Sequence, residues 1–465
     1  MKSDKFLKNV VIYFIGNVLT KMLSFFLIPL YTYNIKAEAY GYYDLTISII
    51  SLVVPIIFFQ IWDGMFRFIY DYEKKEEKYK IITNGFFVSV IGTLILLILM
   101  VIINKIVKFN YLFLILGYSI SFAGTYLYGT IARAFEENKT YMYSGIANTL
   151  ITLILNILFI TVLHAGIEGL YISYIVGAIV QIVIIERKVK ALKNIKKSDI
   201  SGNIIKKMIA FSLPIAISTI SIWLFTGYAK VKISGVLGIE YNGMFAIATK
   251  FSSLIILVIS VLQMAWQEFS YSLVKTVNKN SYYKKGIRVF FIIIMSSIML
   301  IIPLTKIFAK YLLAENYLSI LSILPLIYMY SGFSSFSGFL GTQFYAEKNS
   351  KTTLYSVIIS AIINVVLVNL LINSFGLMGV SISLLISFIV NCIIRQVFLK
   401  IRYNVYIEFK LIFYLTLLLL VVFVVYYTLG TLFNALTFVI IAIISCFLLR
   451  EQILVMIKKI IPKHT

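Results

Sequence analysis

Apolar segments of about 20 residues follow one another along almost the whole chain, each long enough to cross roughly 30 Å of hydrocarbon as a helix. The clearest runs from Leu411 to Thr428 without a charged residue. A soluble domain is usually about 45–50% apolar and roughly 25% charged. Here 61% of the 465 residues are hydrophobic and 13% are charged, so burial in one core cannot account for the sequence. In lipid the backbone must satisfy its own hydrogen bonds, which leaves helices or a closed barrel. The strict alternation of a barrel strand is missing. The sequence therefore predicts an all-α, polytopic membrane protein with about fourteen transmembrane helices, from a first span near 9–33 to a last near 433–453. The first run follows Lys2, Lys5 and Lys8 but is too long for a signal-peptide core, and reads as a retained span.

In a soluble chain the net charge of +23 would point to nucleic acid. In a membrane chain it points to topology. Basic connections at 74–80, 187–207, 275–288, 348–351 and 400–410 alternate with short ones nearly free of Lys and Arg, such as 164–168, 373–375 and 430–434. Most of the 42 basic residues thus fall on one side, which predicts that both termini and the basic loops are cytoplasmic. No nucleic-acid partner is expected.

The longest polar connection, 186–207, divides the first twelve spans into six and six. The halves resemble each other weakly. Glu38 leads into Tyr40-Gly41-Tyr42-Tyr43, as Glu240 leads into Tyr241-Asn242-Gly243. Gly166-Ile167-Glu168-Gly169 is answered by Gly376-Leu377-Met378-Gly379. An even number of spans per half makes the repeat parallel, about an axis along the membrane normal. The expected organisation is an N-lobe at 1–200, a C-lobe at 201–403, and two extra spans with a tail at 404–465, the two six-helix lobes enclosing a central cavity.

A charge at the centre of a spanning helix costs roughly 2.5–3.5 kcal/mol on insertion scales, so each one needs a reason. Lys21 lies near the middle of the first span, where Asn17, Thr20, Lys21 and Ser24 share one helix face ahead of Pro29. In the seventh span Ser212, Ala216, Thr219, Trp223, Thr226 and Lys230 recur at steps of four and three. Lys250 shares a face with Ala246, Ser253 and Ser260, and Asp44 shares one with Ser48 and Ser51. A cavity walled by Lys21, Lys230 and Lys250 would suit a phosphate or pyrophosphate, which ammonium groups hold as point charges. Several alternatives stay open at this point. Lys21 either faces that cavity or pairs with Asp44. Arg67 and Arg133 are either secondary contacts or anchors at the inner boundary, and Lys232 either joins them or snorkels outward.

Catalytic and cofactor constellations are missing from the sequence. The two histidines, His164 and His464, give no metal site or triad. Cys392 and Cys446 sit inside apolar runs and read as small hydrophobes. No phosphate-cradling G-x-x-x-x-G-K-[ST] loop occurs. The expectation is a non-enzymatic protein without a cofactor.

Several elements together resemble the polysaccharide transport branch of the multidrug/oligosaccharidyl-lipid/polysaccharide exporter superfamily, the O-antigen and capsule-type flippases. They are Ile28-Pro29-Leu30, then Ala39-Tyr40-Gly41-Tyr42-Tyr43-Asp44-Leu45, Ala132-Arg133-Ala134-Phe135-Glu136-Glu137-Asn138-Lys139, Phe211-Ser212-Leu213-Pro214 and the two Gly-x-x-Gly turns. The resemblance implies a bacterial cell-membrane flippase. Its cargo would be undecaprenyl-pyrophosphate-linked oligosaccharide, moved from inner to outer leaflet by alternating access, with membrane lipid and a polysaccharide polymerase as partners. It also implies that cations on spans one, two, seven and eight hold the anionic headgroup. Many relatives carry an Asp-Arg pair on the seventh span, where this sequence reads Ala229-Lys230. The alternatives are an ion-coupled multidrug antiporter of the same superfamily, a lipid II flippase, and a non-transporting assembly scaffold.

Overall fold

The structure, a computed structural model, describes residues 25–273, 278–347 and 349–452. These residues form helices and connections with no strand among them. Ten of the described helices are long and apolar enough to cross a membrane, and a bent pair makes an eleventh. The chain is a multi-pass membrane protein with the expected all-α fold.

The helices are α1 Ile28–Asn34, α2 Ala37–Ile57, α3 Ile61–Ile69, α4 Lys75–Val107, α5 Leu112–Ala134, α6 Asn138–Ile157 and α7 Gly166–Val189. They continue as α8 Gly202–Val236, α9 Ile239–Phe251, α10 Ser253–Leu273, α11 Lys279–Leu312, α12 Leu324–Ala346, α13 Ser350–Tyr403, α14 Phe409–Thr428 and α15 Thr431–Leu448. Interior Leu, Ile, Phe and Val dominate them, and their ends carry the stop signals. Lys190 closes α7 in the left-handed conformation, its N–H donating to Glu186 O at 2.7 Å, and Asn404 closes α13 in the same way.

Where the sequence predicts single spans, some are broken. The second splits into α2 and α3 at Phe58–Gln60, where the chain turns out of the helix and the Gln60 N–H donates back to the Pro55 carbonyl at 2.7 Å. The eighth splits at Ser252. The tenth joins a 3-10 segment, Glu315–Ser322, to α12 at 59°, with Pro325 in the first turn of α12. Conversely α13 runs through two predicted spans and turns at Gly376 (φ 54°, ψ −134°).

Gly376 and Gly166 (φ 57°) both adopt the left-handed backbone that glycine tolerates without Cβ strain. The second glycine of each motif does a different job. A Cβ on Gly169 would strike Phe159, and one on Gly379 would strike the Leu371 carbonyl, so each lets a helix lie against the one before it. The two Gly-x-x-Gly turns are therefore built alike.

Two compact units divide the described chain. The first comprises Asn34–Trp223, and the second comprises residues 25–33 and 224–452. In the first, Met65, Ile69, Ile82, Ile131, Ile185 and Met208 form an apolar core close to the basic connections. There Asn84, fully buried on α4, donates to the carbonyls of Lys80 and Asp199 and accepts the Ser201 N–H at 2.7 Å. In the second, Tyr328 is buried with its hydroxyl 2.6 Å from Thr305 Oγ1.

Candidate functional site

Lys230 and Lys250, the described cations of the expected headgroup site, both belong to the second unit. Lys230 is half-buried on α8, about 9 Å of helix before Val236. Lys250 is half-buried in the last turn of α9. The helix stops one residue later because Ser252 turns back, its N–H and its Oγ both donating to the Thr249 carbonyl.

The Lys250 ammonium lies 5.2 Å from the centre of the Tyr31 ring, whose residue is buried. α1 is held in place to offer that ring. Thr32 Oγ1 donates to Leu312 O at 3.2 Å, Tyr33 OH donates to Leu313 O at 3.4 Å, and Phe25 meets Phe251 edge-on at 5.8 Å. A ring face stabilises a partly desolvated cation by about 0.5–2 kcal/mol, which offsets part of the cost of placing a charge at this depth.

Asp44 is half-buried on α2 in the first unit, close enough to Tyr118 for the two to interact electrostatically. Around it runs an aromatic group in which Tyr43 meets Tyr171 edge-on at 4.8 Å and Tyr118 stacks on Tyr174 at 4.0 Å. Asn17, Thr20, Lys21 and Ser24 lie outside the described residues.

The polar stripe of the seventh span is partly engaged within the first unit. Gly64 N–H donates to Ser212 Oγ at 2.8 Å, Thr219 Oγ1 donates to Gln60 Oε1 at 3.0 Å, and Trp223 Nε1 donates to Ser48 O at 2.8 Å. This stretch of α8 is thus a hydrogen-bonded seam against α2 and α3. Gln60 and Phe59 stand at its centre with φ of 46° and 52°, a left-handed pair that non-glycine residues adopt at a cost of about 1–3 kcal/mol each. Gln60 also donates to Asp63 Oδ2 at 2.7 Å.

Of the secondary candidates, Arg67 is exposed and pairs with Asp71 one helical turn on, at 2.5 Å. Arg133 is half-buried at the end of α5, bonded to Gly129 O and Thr130 Oγ1, with its guanidinium 5.1 Å from the Phe66 ring and 5.4 Å from that of Tyr141. Lys232 is half-buried on α8.

Sequence reasoning passed over the most deeply buried cation among the described residues, Arg395 (3% exposed) on α13. Its Nε donates to Ser356 Oγ at 2.9 Å, and its terminal nitrogens donate to the carbonyls of Ser337 and Thr353. Asn391 completes the network, accepting from Ser337 Oγ at 2.6 Å and donating to Ser356 O at 2.9 Å. The available signal was the recurrence of Ser383, Ser387, Asn391 and Arg395 every four residues.

A profile of the family described as "Polysaccharide biosynthesis protein" matches residues 6–266, more than half of the chain. The chain belongs to that family. No curated protein matches it. Among solved structures, it is similar in fold to "Lipid II flippase MurJ, inward closed conformation", with a TM-score of 0.72 and 15% identity, over 94% of this chain and 99% of that one. It is also similar to an inward-facing multidrug resistance MATE family transporter of the MOP superfamily, with a TM-score of 0.67 and 16% identity over 83% and 94% of the two chains. An outward-facing MATE structure matches with a TM-score of 0.58 and 17% identity over 85% and 96%. This member of the polysaccharide biosynthesis family thus shares the fold of the MOP transporters over most of its length.

Proposed function

We propose that this polysaccharide biosynthesis protein is a flippase. It carries polyprenyl-pyrophosphate-linked oligosaccharide from the inner to the outer leaflet of a bacterial cell membrane by alternating access, its termini on the cytoplasmic side. Transport in a shared MOP fold agrees with family membership. The observation that carries the finer reading is Lys250, a partly buried cation under a fixed aromatic ring at the break of a spanning helix. Broken helices at membrane depth are where transporters of several folds bind charged substrates. Lys21, Lys230 and Lys250 hold the pyrophosphate in this reading, with Asn17, Ser24 and Asp44 beside them.

A second reading, a lipid II flippase, is favoured by the overlap with the MurJ fold over 94% of this chain. Both readings keep the pyrophosphate site and differ in the sugar.

The test is binding of purified polyprenyl pyrophosphate oligosaccharide, and separately of lipid II, in nanodiscs to wild type and to Lys21→Ala, Lys230→Ala and Lys250→Ala. Weakening of about tenfold in each variant, with binding that falls as salt rises, is expected. Binding of a lipid-linked sugar that ignores all three changes would overturn the site. Absence of binding in the wild type, with a resistance phenotype, would replace the reading by a drug antiporter.

A further inference from the structure

At the end of the second unit that carries basic connections, α11, α14 and α15 enclose a pocket of about 510 Å³. Lys284, Lys285, Arg288 and Arg450 line it, against two carboxylates, Glu408 and Glu451. Neither carboxylate comes within ion-pair distance of any of the four cations, and Lys285 and Arg288 make no hydrogen bond among the described residues. The cations are nevertheless placed. Lys284 is 4.6 Å from the centre of the Tyr406 ring, Lys400 approaches the same ring at 5.7 Å, and Arg450 lies 5.1 Å from the ring of Phe447. Val289, Ile292, Leu411, Phe447 and Leu448 add an apolar wall, and Ser281 and Gln452 complete the lining.

Four cations against two carboxylates leave the pocket net positive, and with no close ion pair among them the cations repel one another unless a further anion joins them. The apolar wall beside them selects an anion that carries its own acyl chains. We propose that this pocket binds an anionic glycerophospholipid, its phosphate among Arg288, Lys285, Lys284 and Arg450 and its chains against Ile292, Leu411 and Phe447. The site lies outside the proposed cargo residues and gives the two C-terminal helices a task. They dock on α11 and, with it, form a lipid-filled joint.

The experiment is native mass spectrometry of the full chain, incubated in detergent with phosphatidylglycerol or with phosphatidylcholine of the same chains. Wild type should retain phosphatidylglycerol at least about tenfold better, and Arg288→Gln/Arg450→Gln should abolish that preference. Both residues are exposed, so folding should be unaffected. A matched control, Lys193→Gln/Lys196→Gln on the exposed connection of the first unit, should keep it. Equal retention of the two lipids would overturn the proposal. So would a control that loses as much as the pocket variant, since that is diffuse surface attraction. Glycerophosphoglycerol, the headgroup without chains, should raise the melting temperature far less than the intact lipid. An equal shift would remove the acyl chains from the site and the lipid with them.

Discussion

Lys250 and Tyr31 come from helices that are remote in sequence, yet the ammonium lies 5.2 Å from the ring centre, and Thr32 and Tyr33 anchor the segment that carries the ring. The pair makes the first span an electrostatic part of the eighth. Under the flippase reading, Lys250→Ala should lower flipping in proteoliposomes about tenfold at equal protein abundance, the order expected for losing a partly desolvated charge contact. Tyr31→Phe keeps the ring face and should transport like wild type, whereas Tyr31→Leu should lose a few-fold. If Tyr31→Phe is as damaged as Tyr31→Leu, the hydroxyl and not the ring is what matters, and the cation–ring argument fails.

Gly64 lies against α8 so closely that a Cβ would meet Ser212 Oγ at 2.5 Å and the Met208 carbonyl at 2.7 Å. The hydroxyl can rotate away, but the carbonyl cannot. Gly64→Ala should therefore destabilise the α3–α8 seam by about 1–3 kcal/mol, and removing the hydroxyl with Ser212→Ala should rescue only part of it. The readout is thiol labelling of a cysteine placed at Thr219, which the seam covers. Faster labelling in Gly64→Ala is expected. Unchanged labelling would show that the seam is not held by this contact.

How much of this was legible beforehand depended on whether a feature has a local chemical signature. The spans were legible because lipid permits few alternatives to an apolar helix. The two Gly-x-x-Gly turns were legible because glycine marks a left-handed backbone and a close approach, and both glycines of each motif do those things here. Lys250 stood out as a charge in an apolar run, but its partner Tyr31 could not be read, since a cation–ring pair between distant segments leaves no spacing rule. Gln60 was missed for a related reason. Its left-handed backbone belongs to the turn that ends α2, in which the Pro55 carbonyl accepts the Gln60 N–H at 2.7 Å, and nothing about a glutamine announces that. The seam itself was read as cavity wall, because a polar stripe looks the same facing water or facing another helix's donors.

Asn84 ties the connection before α8 to α4 with two hydrogen bonds on one buried amide, to the Asp199 carbonyl and from the Ser201 N–H. Alanine there strands the Ser201 N–H and the Asp199 carbonyl, both only half-buried, so the cost should be about 1–2 kcal/mol. The change should be local. Proteolysis between residues 190 and 201 should accelerate several-fold while the helical circular dichroism signal stays constant. A global loss of helix would mean that the clasp is needed for folding of the whole unit.

Arg395 poses the opposite case, a buried cation whose visible partners are neutral carbonyls and a hydroxyl. Its fork reaches three residues at once, Ser356 through Nε and Ser337 and Thr353 through the terminal nitrogens, which joins α12 to both limbs of α13. Lysine has the charge but no planar fork, so Arg395→Lys should lose most of this bridging. Arg395→Ala removes the charge but leaves the carbonyls and a cavity, with an expected loss of about 2–5 kcal/mol. Arg395→Met fills the space with hydrocarbon and strands the same carbonyls, so it should fall between alanine and wild type. Thermal unfolding in detergent with tryptophan fluorescence would rank them, and the predicted order is wild type, Met, then Lys and Ala together. If lysine matches arginine, charge alone suffices and the bridging geometry is incidental. If methionine exceeds arginine, the network is a net cost to stability, which points to a role for Arg395 in the transport cycle instead of in the fold.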